Sequence, residues 1–108
     1  MEVINKNELG DYILSINVFK DIAKAVALKV QGVYQAKKDD EFVECKIVDN
    51  EVSFHLYIKL KQGVDIVKTC NTIQKRIHDA ILGNTNVECK TINIDIQGFV
   101  SNKSSNNK

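Results

Sequence analysis

A chain of 108 residues with a formal net charge of +1 has room for one domain and one adequate core. Its residues are 44% hydrophobic and 27% charged, as in an ordinary globular domain, and its basic residues are spread along the chain, which argues against a nucleic-acid or anionic-lipid footprint. No apolar run approaches the roughly 18 residues that span a bilayer, and the opening MEVINKNELGDY lacks the basic and apolar regions of a secretory signal.

Three cysteines, Cys45, Cys70 and Cys89, stand far apart in the chain, which suits a reducing compartment better than a disulfide framework. A cytoplasmic protein is expected. The abundance of Asn, Lys and Ile fits an AT-rich bacterial genome.

In chain order, residues 1–9 are polar and are expected to be flexible. Asp11 to Ile16 reads as a short strand. Asn17 then offers a cap for a helix over Val18 to Val30, whose buried face is Phe19, Ile22, Ala23, Val26, Ala27 and Val30. Leu28 falls on the outward side. Gly32 ends the helix, Val33 to Ala36 is a short strand, and Lys37 to Glu41 is a charged, solvated turn. Phe42 to Val48 alternates, with Val43, Cys45 and Ile47 on one face. Asp49-Asn50 supplies a two-residue turn tolerant of positive φ. Glu51 to Lys61 alternates more regularly, with Val52, Phe54, Leu56, Ile58 and Leu60 dry and Ser53, His55, Tyr57, Lys59 and Lys61 wet. The two runs predict an antiparallel hairpin with one buried face.

The stretch from Gly63 to Gly83 is the strongest helical signal. Ile66, Cys70, Ile73, Ile77 and Ile81 recur at the period of one buried face. Asp65 can cap the first turn, and Gly83 is expected to close the helix in the left-handed conformation. Lys68, Lys75, Arg76 and Asp79 face outward. A last strand over Val87 to Val100 carries Ile92, Ile94 and Ile96 on one side. Val87 and Cys89 are out of phase with them, which predicts a bulge or bend near Lys90. Residues 101–108, SNKSSNNK, have no apolar residue and are expected to be disordered.

This order, β-α-β-β-β-α-β over residues 10–100, predicts a single α+β domain. It would be a two-layer sandwich with a mostly antiparallel sheet and two helices on one face.

No constellation stands out as catalytic. Cys45, Cys70, Cys89, His55 and His78 lack the close pairs that structural zinc sites use, and Cys45 and Cys70 lie on core faces, so no metal is expected. Cys89 has no activating neighbour in sequence. Asp39, Asp40 and Glu41 form a carboxylate run that reads as a solvated turn rather than an acid–base pair. The glycines form no phosphate-binding pattern, and no cofactor is expected. Tyr57 with Lys59 and Lys61 on the wet strand face is the most RNA-like local feature, though no GXXG loop accompanies it.

From Gly10 to Val100 the chain resembles the alkaline shock proteins, the envelope stress response family of Gram-positive and related bacteria. The resemblance rests on Gly10 with the apolar strand to Ile16, then Val18, Ile22 and Ala23 in the first helix, closed by Gly32-Val33. It continues through the alternating strand, the glycine-led helix from Gly63 with Ile73-Gln74 in its middle, and the ending Ile92, Asn93, Ile94, Ile96, Gly98. Gln62 stands where members often carry an aromatic, and the terminal tail is shorter than in many. The resemblance implies a cytoplasmic, non-enzymatic protein of cell-envelope homeostasis. It would act through a protein partner, a membrane-anchored one included, or through self-association, without inserting in the membrane itself. No catalytic, cofactor or metal residues are implied. The contact surface is expected on the second helix (Lys68, Lys75, Arg76) or on the wet hairpin face (Tyr57, Lys59). The alternative is a small RNA-binding module using the polar face of its sheet.

Overall fold

A computed structural model describes residues 2–101. The elements run β1 (Glu2–Asn7), β2 (Gly10–Ser15), α1 (Ile16–Lys29), β3 (Val33–Gln35), α2 (Asp39–Phe42), β4 (Val43–Val48), β5 (Glu51–Lys61), α3 (Ile66–Thr85) and β6 (Cys89–Val100). The α+β class and the element order expected for residues 10–100 are observed.

β5 is the axis of the main sheet. On one side it pairs antiparallel with β4 over Glu51–Leu56 and with β3 over Ile58–Leu60, so these two short strands share one edge. On its other side it pairs parallel with β6 along nearly its whole length. The β5–α3–β6 connection is what allows that parallel pairing, since a parallel neighbour requires a crossover. α1 and α3 pack against each other and over the dry sheet face. Val52, Phe54, Leu56, Ile58 and Leu60 meet Phe19, Ala23 and Ala27 of α1 and Ile73, Ile77 and Ile81 of α3 in one core.

The β4–β5 turn is as expected, with Asp49 and Asn50 at φ 52 and 61. The bulge expected near Lys90 is also present: Cys89 faces Val52, but Thr91 faces Ser53, so Lys90 is left unpaired. A second irregularity leaves Gln97 unpaired between Ile96 and Gly98.

Several boundaries differ. Residues 1–9 were expected to be flexible, yet Glu2–Asn7 form β1, paired antiparallel with β2 in a sheet of their own. Val3 is the reason: its side chain is only 2% exposed, which anchors an otherwise polar strand to the core. α1 starts at Ile16 with Ser15 as its cap residue, not at Asn17. Ile22 and Val26 at the flank of its face are only half-buried.

The charged turn at 37–41 contains a single helical turn, α2, and it includes Phe42. Phe42 and Val43 are both fully buried, which the alternation of a continuous strand would forbid; the bend between α2 and β4 turns both inward. α3 does not stop at Gly83. Thr85 continues the Ile77–Ile81 stripe by one more turn, and its hydroxyl donates to the Ile81 carbonyl at 2.6 Å. Asn86, at φ 61, takes the left-handed cap position. At the other end Ile66 is 42% exposed and Cys70 only half-buried, so the buried stripe begins at Ile73, about two turns later than its periodicity implied. Asp65 caps as expected, its carboxylate accepting from the Lys68 amide at 3.0 Å. Of the tail expected to be disordered over 101–108, Ser101 is exposed and residues 102–108 lie outside the described residues.

Candidate interaction surfaces

Three surfaces remain open once the core is closed. The first is the sheet face turned away from the helices. Alternation along β5 places His55, Tyr57 and Lys59 there, and the register aligns Glu44 of β4 and Asn93 of β6 with His55. Tyr57 sits at its centre and is fully engaged. Its ring stacks on His55, with centroids 4.7 Å apart. The Lys37 ammonium lies 3.7 Å from the ring centroid, a cation–π contact. The Tyr57 hydroxyl donates to Glu44 Oε1 at 3.2 Å. Its phenol is pushed above its ordinary pKa by desolvation first, then by that bond and by the charges of Glu44 and Asp95. A shallow depression of about 500 Å³ lies beside it, between Glu44, Lys46, Ser53, His55, Thr91 and Asn93.

The chemistry available there is limited. His55 Nε2 is 3.8 Å from Asp95 Oδ2, beyond hydrogen-bond distance, and the nitrogen is buried without a partner. Among the described residues no three His, Cys, Asp or Glu side chains converge as a metal site. The cysteines are free. Burial raises the Cys45 and Cys89 thiols to about 11 and raises Cys70 as well, so all three stay protonated near neutral pH. Protonated thiols are poor nucleophiles. The Tyr57 ring, the aromatic of the RNA-like feature in the sequence, already packs against His55 and Lys37.

The second surface is the outer side of α3. Lys68, Lys75 and Arg76 are exposed as expected. Lys75 is tied to Asp79 one turn on, at 2.9 Å, and Asp79 is held below its ordinary pKa chiefly by that contact and then by His78. The pair lowers the net positive field of the helix. Val67, 70% exposed, and Ile66 put apolar surface at the start of this helix. Leu28, expected outward on α1, is 42% exposed, and Val18 is 37% exposed.

The third surface was not legible in the sequence. The β1–β2 hairpin is a two-stranded sheet separate from the main one, in a molecule measuring 58 × 24 × 20 Å. Its register pairs Val3 with Leu14 on the face toward the core and Ile4 with Ile13 on the opposite face. Ile4 is 45% exposed, Ile13 56%, and Leu9 in the turn is 100% exposed. The signal that could have revealed it was Val3 and Ile4 among polar neighbours, matched to Ile13 and Leu14 across Gly10.

Comparison with known proteins places this geometry. The chain is 24% identical over 107 residues to the uncharacterized protein Spy1535 of Streptococcus pyogenes serotype M6, covering 88% of this chain and 83% of that one. Among solved structures the MamM CTD is similar. A histidine-to-alanine variant superposes with a TM-score of 0.54 at 10% identity, over 78% of this chain and 98% of that one. A copper form of another variant gives 0.53 at 13% identity over the same shares of the two chains. At such low identity these structures share the fold and carry no further implication. The family comparison is decisive: residues 4–101, nearly all of the described chain, match the alkaline shock protein 23 family, which has a cell envelope-related function, and the chain belongs to that family.

Proposed function

We propose that this protein serves the cell envelope without catalysis, as a cytoplasmic component that works through protein–protein contacts: self-association, or docking to a membrane-linked partner. The observation that carries the reading is the pairing of family membership with exposed apolar side chains at the hairpin and the start of α3. Apolar side chains grouped at two places on a small domain are what protein contacts use. The polar sheet face supports the same reading, since the ring of its central Tyr57 already packs against His55 and Lys37, and His55 has the Asp95 carboxylate no nearer than 3.8 Å. No described helix is long and apolar enough to cross a membrane.

The test is affinity purification of the tagged protein at native expression level, with mild cross-linking and mass spectrometry. Recovery of a membrane or envelope protein is expected. Reversing Lys75 and Arg76 to glutamate, both exposed and remote from the core, would diminish that recovery if α3 is the docking face. Recovery of ribosomal proteins that nuclease treatment abolishes would replace this reading with RNA binding.

A further inference from the structure

We infer that β1 is a self-pairing edge, through which two copies of this chain join their hairpins into one four-stranded antiparallel sheet. The inference rests on the reading of the protein as one that works through protein contacts, and it names the partner and the register.

The argument starts from the turn. Asn7 and Gly10 close a two-residue loop, and a ladder ending there requires that this pair exchange both backbone hydrogen bonds. Alternation then makes Asn5–Tyr12 and Val3–Leu14 hydrogen-bonded pairs and leaves Lys6–Asp11, Ile4–Ile13 and Glu2–Ser15 without mutual bonds. The N–H and C=O groups of Glu2, Ile4 and Lys6 therefore point to the outer edge of β1. Among the described residues only β2 pairs with β1, so that edge is open. A two-stranded sheet is marginal in water by itself, and an uncovered edge is a template for another strand.

The sequence of that edge is self-complementary. In an antiparallel pairing of β1 with a second β1 about a two-fold axis at Ile4, Ile4 meets its own counterpart. Glu2 then faces Lys6 of the second copy, and Lys6 faces its Glu2. All three side chains lie on the same strand face, two residues apart. Opposite charges directly across a ladder are favourable and like charges are not. The ion pairs among the described residues engage neither Glu2 nor Lys6, so both charges are available. The pairing also lines up Ile13, Ile4 and their two counterparts as one apolar row, which shields side chains that are 56% and 45% exposed in the single chain. Because Val3 anchors each hairpin to its own body, the antiparallel register carries each turn past the Glu2 end of the other copy. Leu9, fully exposed in one chain, then lies alongside the second body. The arrangement is closed and isologous, so it stops at two.

The experiment is sedimentation velocity of the full chain over a concentration series, with three variants. The unmodified chain should show a concentration-dependent dimer. Lys6→Glu converts both cross-strand attractions into repulsions and should raise the dimer dissociation constant by about tenfold or more. Combining Glu2→Lys with Lys6→Glu restores opposite charges across the axis and should return the dissociation constant to within about threefold of the original. Ile4→Pro removes the central outward N–H without touching the β1–β2 ladder and should abolish the dimer, with an unchanged circular dichroism spectrum verifying the fold. A chain that stays monomeric throughout the series overturns the inference, as does a dimer indifferent to Lys6→Glu and Ile4→Pro. Neither result touches the envelope reading if cross-linking still recovers an envelope protein. Conversely, a dimer with the charge-swap behaviour but only nuclease-sensitive RNA-associated partners keeps this inference and removes that reading.

Discussion

Gly32 shows how one residue links two elements. It has φ +86, and a Cβ built there would meet Val64 Cγ1 at 2.9 Å. Its carbonyl accepts from the Lys61 amide at 2.8 Å, which ties the exit of α1 to the end of β5. Gly32→Ala combines a left-handed backbone with a close contact and should cost about 2 kcal/mol, read as a lower denaturant midpoint with unchanged slope. Cys45 and Cys89 carry a second residue-scale consequence. Desolvation raises both thiols from 9.0 to about 11, and for Cys45 the neighbouring Cys89 adds to the rise. Above pH 9 the unfolded chain loses these protons while the folded chain keeps them. Stability is therefore complete below the unfolded value and falls as pH rises toward the folded one. Chemical denaturation midpoints should drop between pH 9 and 11, and Cys45→Ala should flatten that drop relative to the unmodified protein. An identical slope in the two proteins would exclude the thiol as its source.

At the scale of one element, α3 decides the most. Its first turn is held by Asp65, whose carboxylate accepts from the Lys68 amide, and Asp65→Ala should cost about 1 kcal/mol. Its far end offers a test by sign. If Gly83 were the left-handed cap that its position invites, alanine there would be strained. In the structure Gly83 lies inside the helix, and a Cβ would meet nothing within 4 Å. Gly83→Ala should therefore stabilise the protein by up to about 1 kcal/mol, seen as a higher melting temperature. The cap moves to Asn86 because Thr85 is buried against the core and satisfies its hydroxyl on the Ile81 carbonyl, which favours continuing the helix past Gly83.

For the whole molecule, burial is uneven in a way that sets where it opens first. The inward side chains of β5 are essentially inaccessible, and strands flank it on both sides. The β1–β2 hairpin is a separate sheet fixed to the core through Val3 and, in part, Leu14. Local opening free energy follows buried contact, so in dilute protein the hairpin amides should exchange at least about a hundredfold faster than those of β5. Hydrogen exchange with mass spectrometry reads this directly. At high concentration the outward amides of Glu2, Ile4 and Lys6 should slow if two hairpins join. The outer edge of β1 and the exposed Lys68, Lys75 and Arg76 of α3 belong to different elements, so self-association through β1 uses none of those charged side chains.

Two kinds of information separate at the end. The periods of β5 and α3, the Asp49-Asn50 turn, the Asp65 cap and the Lys90 bulge are local: each depends on side chains a few residues apart, and each is readable along the chain. The class, the element order and the family resemblance follow from these. Tertiary structure alone decided that β3 and β4 share one edge of β5 and that β6 runs parallel on the other, because strand order is a matter of loops and layers rather than of any strand's own pattern. It also decided that Glu2–Asn7 is a strand. Nothing in that polar stretch marks it except two adjacent apolar residues, and only the presence of a core beneath Val3 makes ordering it favourable. The surroundings of Tyr57 have partly the same origin: His55 is two residues away on β5, but Lys37 of the loop before α2 and Glu44 of β4 reach the ring and the hydroxyl only in the folded sheet.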